Sequence, residues 1–567
     1  MYQKPVPGQG EDPSRSITNR LAGALEASAL GRRADAILAE LRCRRAPLRW
    51  SRMFGAATVA CVLVLFATGI ALMFFYVPSG DTTIYHGVYR PLRGTAMSEA
   101  LQSTIDLSFE VRGGLLLRQL HHWAALLLPA SILMQLLVTF FTGGFRRPRR
   151  LLWIVLVGIL LVALLGGWSG YAMPDDLLAG TGLQIFQGIL LAVPVAGAWL
   201  SSLLFSGGFP GRIIEHLYPI HVALAPVLLI LLMAIRAWLT YRTGSMRFAS
   251  IDRSSPASAG PPLWPHHATR SAGMLSLTTG VLLLVASVVT IDPVWLYGPA
   301  DPAGASAGSQ PDWYTGFLDG ALRLVPPGWE LTWGGRTWTL SILVPLAVVT
   351  GFILAVVIYP FFEEWLAGDR QDHSVLDRPR NTPSRTATGA AAMVFFGALW
   401  GAGSADIIAT HFQLGVESVV GFFQCVVVLG PFAAFSLARR ICLGLERRER
   451  ETVELGYETG RIVRMPGGAF VEVREPLSRT ESLRLQPAEH IAPLAVRPHT
   501  RGRRRLLDRL HAALWLFFFD DRIVYEPSSI VPTPTDGHGV RGDDGHGVRG
   551  DDVPVSAQAT APTRSVR

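Results

Sequence analysis

The 567-residue chain is poor in the residues that hold soluble redox centres and cross-links. Its four cysteines are widely scattered and no Cys-x-x-Cys-His sequence occurs, which argues against c-type haem, iron–sulfur ligation and a disulfide framework in this chain. Lys4 is the only lysine, so arginine carries nearly all the positive charge behind the net +8. The arginines gather at the ends of apolar runs, as membrane insertion favours, and do not indicate nucleic-acid binding.

Long apolar sequence is what the chain has in abundance. Half of the residues are hydrophobic, only 17% are charged, and the mean hydropathy is +0.33. Runs of about 18 to 25 apolar residues are long enough to cross a bilayer as helices, so we predict an all-α polytopic membrane protein with eight spans. The predicted spans are 54–76, 114–142, 151–171, 219–241, 271–291, 338–360, 388–409 and 416–438.

The distribution of arginine predicts the orientation of these spans. FRRPRR (145–150), the segment 242–253 and the region after Arg439 are rich in arginine and are expected in the cytoplasm together with both termini. The first 50 residues lack a short apolar core with a small-residue cleavage site, so we expect no cleaved signal peptide. The three longest connections then lie outside and, being rich in Gly, Pro and aromatic residues, are expected to be structured loops that shape a site. They are 77–113, 172–218 and 292–337.

His121 and His122 lie inside one apolar run and His221 lies inside another, where an ionisable ring is costly and usually marks a functional site. His121 and His221 each lie near the start of a span, and the two spans run in the same direction. Each helix would offer one imidazole at similar depth, which is how a helical bundle holds a b-type haem by two axial iron ligands. The alternative is a histidine bonded to a neighbouring helix. His122 points about 100° away and is expected to be a hydrogen-bonding neighbour.

Several motifs, in order along the chain, carry a family resemblance. They are RQLHHWAA around His121, GYAMPDDLLAGTGL (170–183), and AGSQPDWY (307–314) followed by LRLVPPGWE. Together they resemble the cytochrome b subunit of bacterial menaquinol:cytochrome c reductase, the bc complex, from about residue 45 to about residue 475. The resemblance implies a four-helix haem bundle followed by four further transmembrane helices and a cytoplasmic tail, in a bacterial plasma membrane. The implied segments are 1–50 (cytoplasmic), 51–242 (haem bundle), 243–270 (linker), 271–440 (C-terminal four helices with the quinol-site loop) and 441–567 (tail).

The resemblance assigns roles around the haem. His121 and His221 would bind iron, and Arg118, one turn before His121, would pair with a haem propionate. Gly69 and Gly170 would let the flat macrocycle approach the backbone, although glycine also serves plain helix packing.

A second set of roles concerns the quinol. PDWY (Pro311, Asp312, Trp313 and Tyr314) resembles the family's Pro-Glu-Trp-Tyr element, with the aspartate that menaquinol-type members also use. Quinol oxidation releases two protons, and Asp312 is the candidate acceptor of one of them. Tyr314 would hydrogen-bond or pack near the quinol ring, and Trp313 would wall the pocket. In isolation, such a sequence is equally typical of a turn with interfacial aromatics.

One of the family's two haem sites is altered in this sequence. The family's second histidines fall 14 residues after His121 and 14 or 15 after His221, where this chain has Gln135, and Ile235 or Arg236. We therefore expect one haem, with Arg236 either snorkelling toward the cytoplasmic face or pairing with Gln135. A shifted ligand, Met134 or Met233, is the alternative.

Other positions around the second site are altered as well. Val138 replaces the propionate-pairing arginine and Leu156 replaces a clearance glycine, while Gly55 is retained. On the outer side one departure appears, His216 in place of an arginine. The loss is therefore concentrated on the cytoplasmic side.

The resemblance also implies partners. A Rieske iron–sulfur protein and a c-type cytochrome would take the electrons, a terminal oxidase could be attached, and the subunit would form a homodimer in contact with lipid. Two other functions stay open: a redox-impaired paralogue with an assembly or regulatory role, and a transporter that uses the polar intramembrane residues.

The remaining segments lie outside the spans. In the first part of the tail, the stretch GRIVRMPGGAFVEVRE (460–475) alternates in polarity, which predicts a small hairpin. Residues 501–519 predict a basic amphipathic helix that lies on a membrane face or a partner, or else packs as an ordinary helix. The tandem repeat in 536–551 is expected to be disordered. Residues 253–269 read as a linker, in which metal binding by His266 and His267 is a weaker alternative.

Overall fold

The long helices of the predicted membrane spans dominate the structure. The computed structural model describes residues 24, 28–47, 49–244, 246–248, 260–301, 303, 310–478, 481–482, 485 and 503–519. Within these ranges eight helices are long and apolar enough to cross a membrane, which confirms the predicted fold class. We number them in chain order as the first to eighth spanning helices: Arg52–Leu72, Gly114–Phe141, Arg150–Ala172, Ile213–Thr243, Leu263–Val288, Leu340–Ala367, Pro383–Gly403 and Val416–Leu455. In hydrocarbon every backbone N–H and C=O needs an internal partner, and a helix supplies one within each segment.

Two of these helices extend well beyond their predicted spans. The fifth begins at Leu263, eight residues before 271, and the eighth continues to Leu455, well past 438. Hydropathy marks only the apolar part of the eighth helix, whereas its backbone hydrogen bonds continue into the polar residues that follow. The added start of the fifth helix is a π turn, Leu263–His267, with a kink at Trp264.

The connections at one end of the bundle are structured, as their composition predicts. We call this the loop end, and the opposite end, which carries residues 145–150, the arginine end. Short helices at the loop end are Glu99–Phe109, Leu177–Ala192, Gly197–Phe205, Val294–Tyr297, Gly316–Arg323 and Ala405–Phe412. Two antiparallel hairpins also lie there, Thr82–Ile84 with Ala96–Ser98, and Glu330–Trp333 with Arg336–Thr339. The 3₁₀ turn Arg90–Leu92 lies between the strands of the first hairpin. Elsewhere the chain forms the helix Ala29–Cys43, the 3₁₀ turn Pro379–Asn381, and the parallel pair Arg247–Phe248 with Val375–Leu376.

The first four spanning helices enclose the main core. The first packs along the second, the third packs along the fourth, and the fifth covers the first and second. Their buried side chains form one apolar cluster that includes Leu128, Ile132, Leu156 and Ile159. In the other half the seventh helix packs along the eighth. This arrangement places His121 and His221 inside the first four-helix group.

The tail beyond the eighth helix contains the hairpin and the helix that its sequence predicts. Tyr457–Arg464 pairs antiparallel with Phe470–Glu475, which confirms the hairpin. In the helix Arg503–Phe519, the ring of His511 stacks on Trp365 with centroids 4.4 Å apart, and Trp515 is 2% exposed. This helix therefore packs against the sixth spanning helix, as the second alternative expected. The tandem repeat and most of the predicted linker lie outside the described residues.

Candidate functional site

The two intramembrane histidines face each other across the four-helix group. The ring centroids of His121 and His221 are 6.2 Å apart, and both rings line a cavity of about 360 Å³. Cofactor and ligand sites are commonly cavities of about this size or larger, with mostly apolar walls and a few polar groups. The structure thus brings together the two residues that the sequence singled out.

Hydrogen bonds fix which ring nitrogen of each histidine carries the proton. His121 Nδ1 lies 2.8 Å from Thr68 Oγ1, and that hydroxyl donates to the Val64 carbonyl at 2.6 Å, so it can only accept from the ring. His221 Nδ1 lies 3.0 Å from the Gly166 carbonyl, which also only accepts. Both rings are therefore Nδ1–H tautomers with an unprotonated Nε2, the form in which histidine binds a metal.

Gly69 and Gly170 lie directly against these rings. A Cβ atom at Gly69 would be 3.2 Å from His121 Cε1, and one at Gly170 would be 2.5 Å from His221 Cε1. The glycines thus make room for the imidazoles themselves. Their predicted role beside the macrocycle remains a prediction.

Arg118 has a protein partner that the sequence did not indicate. Its Nη2 donates to the Asp292 backbone oxygen at 2.6 Å and to Asp292 Oδ2 at 3.0 Å. Its Nη1 is buried and has no hydrogen-bond partner among the described residues. A buried, half-satisfied guanidinium beside the two histidines fits an additional anionic group such as a propionate. Together with the histidine tautomers, this shows that the residues present fit a haem.

Asp312 lines the same cavity as both histidines. It lies 3.1 Å (Oδ1) and 3.2 Å (Oδ2) from His122 Nε2, and Tyr314 donates its hydroxyl to Asp312 Oδ2 at 2.8 Å. Tyr314 is buried and also lines the cavity. The prediction that His122 acts as a hydrogen-bonding neighbour is confirmed, and Asp312 is its partner.

Trp313 is held by hydrogen bonds on both sides, and its predicted role as a wall of the quinol pocket stays a prediction. Its indole N–H donates to the Leu126 carbonyl at 3.3 Å, and its own carbonyl accepts from Trp400 Nε1 at 3.0 Å. These bonds hold Trp313 between the second and seventh spanning helices, so it anchors the loop. Among the described residues, the cavity lining includes neither Trp313 nor Pro311.

Asp292 is the functional residue that sequence reasoning missed. It lines the cavity, pairs with Arg118, and has φ +48°, a left-handed conformation that is uncommon for a non-glycine residue. Gln119 holds the preceding residue, Ile291, by bonds to both its N–H and its C=O. Burial raises the pKa of Asp292, and Arg118 opposes that shift. An acidic residue directly after an apolar run, in Ile-Asp-Pro, was the available signal.

Asp176 is a second buried carboxylate at the loop end. It begins the helix Leu177–Ala192 and accepts bonds from the backbone N–H groups of Leu178 and Ala179. Burial, together with the nearby charge of Asp292, raises its pKa to about 7. Its hydrogen bonds mark it first as a helix cap.

A polar network of Thr58, Ser131, Gln135 and Arg236 lies at the altered second site. Gln135 Nε2 donates to Thr58 Oγ1 at 2.7 Å, and Arg236 Nη2 donates to Gln135 Oε1 at 2.5 Å. Ser131 Oγ lies 2.7 Å from Thr58 Oγ1. The pairing of Arg236 with Gln135 is therefore confirmed.

Gly55 and Leu156, which the sequence places at the altered second site, lie beside this network or in the core next to it. A Cβ atom added at Gly55 would meet Gln135 Oε1 at 3.7 Å. Leu156 is 3% exposed and belongs to the apolar core. Side chains of the protein itself thus occupy the space between these helices.

The fold and the paired histidines define a multi-pass membrane protein with two imidazoles placed to hold a haem inside a helical bundle. The family model described as "Cytochrome b(N-terminal)/b6/petB" matches residues 126–299. The cytochrome bc1 complex cytochrome b subunit of Streptomyces coelicolor is 40% identical over 490 residues, covering 86% of this chain and 90% of that protein. The subunit of the same name from Mycobacterium leprae is 40% identical over 433 residues, covering 76% of this chain and 78% of that protein. The chain therefore belongs to the family of cytochrome b subunits of cytochrome bc1 complexes.

A solved structure supports the same fold. A chain of a hyperthermophilic respiratory Complex III superposes with a TM-score of 0.56, covering 75% of this chain and 100% of that one, at 18% identity. At this identity the likeness concerns the fold alone.

Proposed function

We propose that this chain oxidises menaquinol at the loop end of the bundle, as the cytochrome b subunit of a quinol:cytochrome c reductase. One observation carries the proposal: the Asp312 carboxylate and the imidazoles of His121 and His221 line a single cavity. A haem b bound by the two imidazoles would supply one-electron acceptance beside the proton acceptor.

Other residues of the cavity accept the proton, orient the acceptor, bind an anionic group and limit the access of water. Asp312 accepts a proton from a quinol hydroxyl, since its carboxylate opens on the cavity and quinol oxidation must release two protons. Tyr314 orients that carboxylate through its bond to Oδ2. Arg118 presents its unpartnered Nη1 to an anionic group. The mostly apolar walls, which include Leu65, Phe66 and Val162, limit the access of water.

The substitution Asp312→Asn tests this assignment. It keeps the shape of the side chain and removes the base, so quinol-driven haem reduction in the purified complex should slow by about 10²- to 10⁴-fold. The reduced-minus-oxidised b-haem spectrum should persist, since both iron ligands remain. Asp81→Asn, at an exposed position of the loop end, is the matched control. Full activity of Asp312→Asn would assign the proton to another group, and a native complex without a b-haem band would rule out the proposal.

We also propose that the chain binds one haem. Gln135 and Arg236 stand at the positions of the family's second pair of histidines, and neither side chain is a usual iron ligand. Their hydrogen bonds hold them in place there. Haem extraction with protein quantitation should give a ratio near one haem per chain. A ratio near two would contradict the proposal.

The same network favours a second candidate function. With one haem, electrons stop at the loop end and do not cross to quinone on the other side, so a role in assembly or regulation is the alternative. A ratio near zero haems per chain would favour that alternative.

Partners and orientation follow from the same proposal. The second electron of each quinol needs a high-potential acceptor, and the four scattered cysteines of this chain cannot build one. We propose a Rieske iron–sulfur protein and a c-type cytochrome as acceptors, in a homodimeric complex to which a terminal oxidase can attach. The arginine end would face the cytoplasm, with both termini. Isolation of the complex in mild detergent, followed by mass spectrometry of its subunits, tests these partners.

A further inference from the structure

We propose that His122 is a positioning residue for Asp312, and that adjacent residues of one helix therefore serve the iron and the proton acceptor separately. The proposal rests on the function proposed above and assigns His122 a part in it. His122 acts through Asp312 and needs no contact with the quinol.

The bond between the two side chains is well defined. His122 Nε2 is almost equally distant from both oxygens of Asp312, at 3.1 and 3.2 Å. The side chains are only 13% and 12% exposed, so water competes little for the bond. A carboxylate only accepts, so Nε2 must carry the hydrogen, and the neutral ring is sufficient. The other ring nitrogen, Nδ1, lies 3.9 Å from Asp292 Oδ2.

A second bond fixes the same loop to the same helix. Trp313 Nε1 donates to the carbonyl of Leu126, which lies four residues, about one turn, after His122. The loop residues Asp312 and Trp313 are thus attached at two successive turns of one helix face. Two attachment points define both the position and the direction of the loop.

Removal of the imidazole would leave Asp312 without an anchor on the helix. Its other side-chain donor in this cluster, the hydroxyl of Tyr314, belongs to the same loop, two residues away. With Trp313 still bonded to Leu126 the loop would stay on the helix, but no bond would join the Asp312 carboxylate itself to that helix. His122 is therefore the side chain that sets where Asp312 points in the cavity.

Two substitutions separate the hydrogen bond from the bulk of the ring. His122→Leu removes the donor, whereas His122→Gln keeps an N–H that can reach a carboxylate. In the purified complex with a soluble menaquinol analogue, His122→Leu should lower kcat by about 10- to 100-fold, the worth of a hydrogen bond to a charged group. KM should change by less than about threefold, and the b-haem spectrum should persist. His122→Gln should recover most of the rate, and His411→Leu, at an exposed position of the loop end, should be unchanged.

A double substitution shows whether His122 acts through Asp312. If it does, His122→Leu with Asp312→Asn should be no slower than Asp312→Asn alone, since the positioned group is already lost. Rates that fall by the product of the two single effects would show an independent structural role and would overturn the proposal. A His122→Gln variant as slow as His122→Leu would do the same.

Amide hydrogen exchange gives a readout that does not depend on turnover. His122→Leu should speed exchange in a peptide spanning 310–315, whereas His122→Gln and His411→Leu should not. Unchanged exchange and an unchanged rate in His122→Leu would refute the positioning role while leaving quinol oxidation intact. If the native complex fails to oxidise quinol but exchange still rises in His122→Leu alone, the positioning of Asp312 stands and the proposed function falls.

Discussion

Gly170 should be the least replaceable glycine at the histidine pair. A Cβ atom there would lie 2.5 Å from His221 Cε1, too close for any real contact, and also 3.1 Å from Nδ1. The ring cannot easily retreat, because the Gly166 carbonyl holds its Nδ1 at 3.0 Å. Gly170→Ala therefore adds overpacking of about 1–3 kcal/mol and the loss of a hydrogen bond of about 1 kcal/mol. Gly69→Ala meets His121 Cε1 at 3.2 Å, which a shift of a few tenths of an ångström relieves.

Haem retention measures this difference. If His221 turns out of position, Gly170→Ala should weaken haem binding by about 30- to 1,000-fold, the equivalent of about 2–4 kcal/mol. Gly69→Ala should weaken it by less than about tenfold. The assay is the haem content of purified protein after incubation with a haem-scavenging apoprotein. Gly280→Ala, in a membrane helix with no atom within 4 Å of the added Cβ, is the control. Equal retention by the Gly170 and Gly69 variants would refute the reasoning.

Three further predictions concern the ligands, the polar network and pH. His121→Ala and His221→Ala should each abolish haem binding, and a retained low-spin spectrum in either variant would show that the pairing is wrong. Gln135→Leu should leave Arg236 unpartnered at Nη2 and lower stability by about 1–3 kcal/mol in thermal unfolding; Gln135→Glu, which keeps an acceptor, should lose less, and equal losses would argue against the pairing. Asp176 has a pKa raised from 3.8 to about 7, so its contribution to stability is present at low pH and is lost as pH rises toward 7. Asp176→Asn should flatten that slope between about pH 4 and 7, and an unchanged slope would assign it to other groups.

The spans and the histidine pair could be predicted because each is a local signal. An apolar run of the right length forms a membrane helix almost regardless of its neighbours. A histidine in such a run is easily noticed, because burying an ionisable ring in hydrocarbon costs free energy and is rare without a function. Both signals are visible within about 25 residues, and the structure agrees with both.

The contacts around Asp312 could not be predicted in the same way. His122 and Asp312 are separated by 190 residues, and their bond depends on how the loop folds back on the second spanning helix. Trp313 shows the same limit, because its indole bonds to the carbonyl of Leu126, 187 residues away in the chain. Asp292 lies just outside a span, where an acidic residue is ordinary, and only its burial against Arg118 shows that it belongs to the site.

The fourth spanning helix contains a π-helical turn, Ile220–Leu224, around His221. Such a turn takes up one residue more than an α-helical turn. In a regular helix the residue stacked beneath His221 would be the fourteenth after it, Ile235, but with the extra residue it is the fifteenth, Arg236. The contact with Gln135, fourteen residues after His121 on the opposite helix, agrees with this shift. Deleting one residue between His221 and Ala225 would return the turn to the α-helical form, would make Arg236 the fourteenth residue after the histidine, and would leave it facing Gln135. The two helices thus differ by a one-residue insertion that the fourth helix accommodates at His221, and a gap-free alignment of them would compare residues on different faces.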